Sequence, residues 1–151
     1  MKNILGFFKL VTAIGIFLLL SATSKSALSQ TDPEVFGIFE KYGRRTGITL
    51  LEISEELMKD YQINHFKSII FENGTKALPE IRESIDKDKV DAKLIKESFK
   101  DGLLNSGYYR LKIDEQNLNR YLIFKVGTRN KVTLIYIEGK LTPEQLVDLL
   151  K

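Results

Sequence analysis

The feature that most limits the fold is a change of hydrophobic period. From residue 108 the chain runs YYRLKID, RYLIFKV and KVTLIYIEG, three segments rich in aromatic and aliphatic side chains with a period near two. That period belongs to β-strands, whose side chains point to opposite faces in turn. The connections EQNLN and GTRN are too short for a crossover between parallel strands. The three strands are therefore expected to form an antiparallel meander of hairpins.

Upstream the pattern is mixed. TDPEVFGIFEKY, residues 31–42, predicts a helix: Thr31 or Asp32 as cap, Pro33 in the first turn, Glu34 at the positive end of the dipole. Gly43 is placed to stop it. TGITLLEIS (46–54) predicts a strand, and Ser54 caps a short helix EELMKDY. HFKSIIFENG (65–74) predicts a second strand ending in an Asn73-Gly74 turn. Leu78, Ile81 and Ile85 mark an amphipathic helix from Pro79 to about Lys87. Ile95, Phe99 and Leu103 recur every four residues, which predicts a long helix from Asp91 to Asn105, closed by Gly107. The last helix has a full start signal in LTPEQL: Thr142 and Gln145 as a capping box, Pro143 at the first position, and Leu141 stapled to Leu146. The sum is an α+β domain, with a mainly antiparallel sheet of about five strands and helices packed on it.

The N-terminal segment carries a different message. Lys2 and Lys9 precede or flank an uncharged apolar run, Leu10 to Leu20. As a helix that run would span roughly 16 Å, about half of the ~30 Å hydrocarbon layer. Small residues follow, ending in Ala27-Leu28-Ser29. A basic start, a short apolar middle and an A-x-A-like end describe a secretory signal peptide. Cleavage is expected after Ser29, leaving residues 30–151 as a single domain without a membrane anchor. The alternatives are an uncleaved anchor and a buried core helix. The chain has no cysteine, so neither a disulfide nor a lipid anchor on Cys is open to it.

Removing the leader changes the meaning of the charge. The whole chain has 23 Lys and Arg against 20 Asp and Glu. Lys2, Lys9 and Lys25 lie in the leader and no acid does, so 20 bases face 20 acids in the remainder. The pI near 9.0 belongs to the precursor. A balanced domain gives no compositional case for nucleic acid.

Few residues suggest chemistry. His65 is the only histidine. With no cysteine beside it, neither a metal site nor a His-activated nucleophile has its usual parts, and no metal or cofactor is expected. DKDKVD brings Asp86, Asp88 and Asp91 together but lacks the glycine and the later glutamate of a calcium loop. It is expected to be a solvated connection between helices. Glu52, Glu55 and Glu56 are too readily explained by a strand and a helix start to make an acid/base pair. No catalytic residue is assigned. In GRRTG, Arg44 and Arg45 sit between two glycines and could fork around a phosphate or carboxylate, or merely complement a helix end.

One surface follows from register. Pairing Ile113 with Arg120, and Val126 with Lys131, places Tyr109, Leu111, Ile113, Leu122, Phe124, Ile135 and Ile137 on a core face. The other face then holds Tyr108, Arg110, Lys112, Tyr121, Ile123, Lys125, Leu134 and Tyr136, with Val132. Rings and aliphatics rimmed by cations suit a protein partner or an anionic ligand. A helix lying over Val132, Leu134 and Tyr136 would cover it instead, and a one-residue slip would exchange the two sets.

FEKYGRRTGITLLEIS, GYYRLKI and VTLIYIEGKLTPEQLVDLL together resemble a family of small exported Bacteroidota proteins known only as a domain of unknown function. Lys41-Tyr42, Gly47-Ile48-Thr49, Ile53-Ser54, Gly139 and Leu146 to Leu150 carry the resemblance. It implies compartment and lineage, periplasmic or secreted, and no mechanism. The expectation is a non-enzymatic binding domain for a cell-envelope or extracellular protein. A carrier or enzyme for an anionic ligand held by Arg44 and Arg45, and a secreted inhibitor, are the alternatives.

Overall fold

The structure is a computed structural model that describes residues 32–113 and 115–151. The expected leader lies outside the described residues, as does Thr31. The chain proceeds through α1 (Val35–Tyr42), β1 (Ile48–Ile53), α2 (Glu55–Met58), β2 (Ile63–Phe71), α3 (Leu78–Asp88), β3 (Lys93–Lys100), β4 (Leu103–Leu111), β5 (Asn119–Val126), β6 (Val132–Gly139) and α4 (Pro143–Leu149). Short 3-10 turns follow α2 and β5. All strand pairings are antiparallel, in the order β1-β2-β6-β5-β4-β3. The expected class holds, with six strands rather than about five. Among the described residues no helix is long and apolar enough to cross a membrane.

The sheet is covered on both sides at its centre, which is why β5 is apolar almost throughout. On the front, α1 contributes Val35, Ile38 and Phe39, and α3 contributes Leu78, Ile81 and Ile85. They pack on Ile69, Phe71, Tyr109, Leu122, Phe124, Val132, Leu134 and Tyr136. On the back, α4 seats Leu146 against Ile63, Tyr121, Ile123 and Ile137, with Leu141 in the same cluster. Each such side chain contributes about 1.5–3 kcal/mol by leaving water. The capping box of α4 forms as expected: Gln145 N–H donates to the Thr142 hydroxyl at 3.3 Å, and Thr142 N–H to Gln145 Oε1 at 2.8 Å.

Two expectations are corrected. The segment 91–105 is not a helix but most of the β3–β4 hairpin. Positions four apart share a face in a strand as well as in a helix, so the spacing of Ile95, Phe99 and Leu103 did not separate the two. The turn does. Asp101 and Gly102 have φ of 52° and 74°, the left-handed pair that a tight type I′ hairpin requires. Lys100 pairs with Leu103 across it.

The second correction is register. Leu111, not Ile113, pairs with Arg120, a slip of two that keeps the faces. Val126 pairs with Val132, not Lys131, a slip of one that exchanges them. The loop 127–131 is one residue longer than a GTRN turn. Arg129 and Asn130 both take positive φ there, and Gly127 N–H closes onto the Lys131 carbonyl at 2.7 Å. Leu134 and Tyr136 therefore lie on the front with Leu122 and Phe124, while Ile135 and Ile137 lie on the back.

Candidate functional site

The mixed surface expected from the sequence is not one surface. Tyr108, Arg110, Tyr121, Ile123 and Lys125 share the back face, and Leu134 and Tyr136 the front. Tyr121, Ile123, Leu134 and Tyr136 are buried. The Tyr121 hydroxyl donates to the Leu141 carbonyl at 2.9 Å, which ties β5 to the entry of α4. Tyr136 donates to Glu138 at 2.6 Å and accepts from Arg120 Nε at 2.9 Å, so the buried guanidinium has both a hydrogen-bond and a charge partner. Arg110 is held by Asn119 at 2.6 Å. Lys112 and Lys125 are exposed and Tyr108 half-buried.

The two candidate arginines are not a joint cradle. Arg45 lies over the Tyr42 ring, 4.8 Å from its centroid, and donates from Nε to the Lys41 carbonyl at 3.2 Å. Arg44 instead borders a groove with Phe39, Leu50 and Lys67. Glu40 and Glu52 line the same groove.

The acidic candidates are also dispersed. Glu52 takes His65 Nε2 at 3.1 Å and Lys67 Nζ at 3.7 Å, and the hydrogen bond with His65 leads in holding its carboxyl below the ordinary range. Glu55 accepts from Asn64 at 3.0 Å. Asp86 pairs with Lys89 at 3.0 Å. Asp88 caps α1. Among the described residues, no three His, Asp or Glu side chains gather as a metal-binding group.

A roomier, open cleft of about 650 Å³ lies between α3 and the tip of the β3–β4 hairpin. The bulge after Ser98 puts Phe99 opposite Leu104, on the face that α3 covers. The tip of the hairpin runs alongside α3, with Leu104 bonded to Arg82 in the middle of that helix. Phe99 is 58% exposed, Leu103 54% and Val90 77%, and all three line the cleft with Pro79 and Leu104.

The rim is charged but internally answered. Arg82 Nε donates to the Leu104 carbonyl at 3.0 Å and so fastens the hairpin to α3. Lys87 pairs with Glu83 at 3.1 Å. Lys89 bridges Asp86 at 3.0 Å and Glu97 at 3.3 Å. Burial by itself would lower the Lys89 ammonium; Asp86 and Glu97 together raise it above its ordinary value. The arrangement can take up an apolar group, while its rim cations already have partners in the chain.

Sequence reasoning misses this site because the four-residue spacing of Phe99 and Leu103 predicts a helix there. The signal that would have found it is the Asp101-Gly102 dipeptide, which puts both residues at an exposed hairpin tip.

Fold and cleft together define a small α+β domain: an antiparallel sheet with helices on both faces and an apolar cleft at one end. Residues 22–150 match a family of unknown function, DUF6108, and the chain belongs to that family. No curated protein matches the chain.

Proposed function

We propose that this chain is an exported binding module, not a catalyst, and that it seats a short uncharged apolar segment of a partner protein between α3 and the β3–β4 hairpin. The observation that carries this reading is the exposure of Phe99, Leu103 and Val90 around one cleft whose rim charges are already paired. Contiguous apolar exposure is uncommon on a solitary soluble domain and marks contact surfaces. Its size is that of sites holding a small ligand or a few side chains. Export rests on the leader pattern, Lys2 and Lys9 around an apolar run ending in Ala27-Leu28-Ser29. The resemblance to exported Bacteroidota proteins points to the bacterial envelope or its exterior.

A phage-displayed random peptide library tests the cleft. Selection on the purified chain should enrich peptides with two or three clustered apolar residues and no net charge. The same peptides should fail to bind a chain carrying Phe99→Ser with Leu103→Ser, whose exposed positions leave the thermal midpoint nearly unchanged. Equal enrichment on both chains removes the reading, as does selection of acidic peptides that Arg44→Ala abolishes. The mass of the native protein tests export: it should begin at Gln30.

A further inference from the structure

The two edges of the sheet are built differently. The β3 edge carries Lys93, Lys96 and Lys100 and is interrupted by two register shifts. Inserted charges and bulges are the ordinary devices that keep a free edge from pairing. The β1 edge has no bulge and a single charge. Its sequence is ITLLEI, paired in unbroken register with β2, with no lysine and no proline. Leu50 is 38% and Leu51 49% exposed, on opposite faces of the same edge strand. Its one charge, Glu52, is occupied by His65 and Lys67 of its own chain.

We infer that two copies of this protein pair through β1, antiparallel and about a two-fold axis normal to the sheet, to form one sheet of twelve strands. An edge strand offers backbone donors and acceptors, so its complement is another extended strand. A second β1 fits better than β3 of another copy. Pairing β1 with β3 would leave an edge free at each step and grow a filament, and the lysines and bulges of β3 oppose it. Pairing β1 with β1 consumes both open edges and closes.

The register is restricted as well. A two-fold normal to the sheet brings together residues of one face. The two registers centred on the leucines set Leu50 against its own copy, with Thr49 beside Leu51 and Ile48 beside Glu52, or Leu51 against its own copy, with Thr49 beside Ile53 and Leu50 beside Glu52. Apolar side chains meet across the seam in both. The groove beside Leu50 is electrically balanced, with Arg44 and Lys67 against Glu40 and Glu52. Two copies brought side by side there therefore meet without net repulsion.

Sedimentation equilibrium of the purified chain should show a concentration-dependent monomer–dimer equilibrium. Leu51→Lys, which places a charge on the seam at an exposed site, should raise the dissociation constant at least tenfold without moving the thermal midpoint measured at a concentration where the parent is monomeric. Leu94→Lys on β3 should leave it unchanged. The chain has no cysteine of its own, so a single introduced thiol can only pair between copies. Leu50→Cys or Leu51→Cys should oxidise to a covalent dimer, and Leu94→Cys should not. A monomer at every concentration with no crosslink at position 50 or 51 overturns the inference. So does a dimer that survives Leu51→Lys or crosslinks at position 94. None of these readouts involves the cleft, so failure here leaves the peptide-binding reading standing, and the reverse holds.

Discussion

The carboxylate of Asp88, the last residue of α3, accepts the backbone N–H groups of Val35 and Glu34 at the start of α1, at 3.0 and 2.7 Å. Eight residues earlier on the same helix, Glu80 accepts from Lys41 and Tyr42 at the other end of α1, at 2.8 and 2.7 Å. The two helices thus lie antiparallel and α3 clamps α1 at both termini. A helix start leaves N–H groups without intrahelical partners. Here a residue more than fifty positions away satisfies two of them.

Asp88→Ala should therefore cost about 1–2 kcal/mol, the upper part of the range for losing a helix cap, because two donors lose their partner at once. Asp88→Asn should cost less, since the amide keeps one acceptor oxygen. Urea titration followed by circular dichroism measures both. Equal losses would mean that packing around α1, not these bonds, carries the effect.

Gly102→Ala separates the two readings of residues 91–105. In a helix, replacing glycine by alanine stabilises by about 1 kcal/mol. In the observed hairpin Gly102 sits at φ +74°, where a β-carbon costs about 1–2 kcal/mol. A drop in thermal stability is expected, and a gain would contradict the β3–β4 turn.

What was legible follows from how local each signal is. The α4 cap, the amphipathic stripe of α3 and the existence of β1, β2, β5 and β6 depend on residues close in sequence, and those are where expected, whereas β4 begins five residues before YYRLKID, inside the segment expected to be helical. The faces of β6 depend on one residue in the loop 127–131, and a period of two turns that single residue into a complete exchange. The cap of α1 depends on Asp88, which local motifs cannot reveal. The cleft depends on how the tip of β3–β4 lies against α3, a tertiary relation that only the packed chain defines.

Gly139→Ala should be among the most damaging single changes, at about 3 kcal/mol. A β-carbon there would fall 2.2 Å from the Gln62 carbonyl oxygen and 2.9 Å from the Ile63 α-carbon. Both obstacles are backbone, and Lys140 N–H is already bonded to that same carbonyl at 2.9 Å, so neither can swing aside. Differential scanning calorimetry should show a fall of more than ten degrees for a domain of this size. A fall of only a degree or two would mean that β2 and β6 can slide apart at little cost.

Acid should loosen the clamp at the Glu80 end. The Lys41 hydrogen bond first, and then that from Tyr42, hold the Glu80 carboxyl below the ordinary glutamate value of 4.5. A depressed folded-state value adds stability that is fully present above 4.5 and is lost as pH falls through the folded value. Glu80→Gln should therefore be less stable than the parent at pH 7 and converge on it under acid. Denaturation midpoints at pH 7, 5, 4 and 3 would show the gap closing; a constant gap would mean that the glutamine defect is steric.

Alkali acts on the opposite side of the sheet's chemistry. Burial first, and Glu97 second, push the Tyr109 phenol well above its ordinary range; burial and Glu138 do the same to Tyr136, against the opposing pull of Arg120. Folding thus favours the neutral phenols. Their contribution is complete below about pH 10 and declines as pH rises, because the unfolded chain then releases protons that the folded chain keeps. Each tyrosine can contribute a slope of up to about 1.4 kcal/mol per pH unit. Absorbance at 295 nm should show Tyr109 and Tyr136 ionising only as the fold opens. Tyr109→Phe should make stability fall less steeply above pH 10 while leaving the acid limb unchanged. Ionisation of all six tyrosines in one phase, with the dichroism intact, would show that the Tyr109–Glu97 and Tyr136–Glu138 contacts admit water freely.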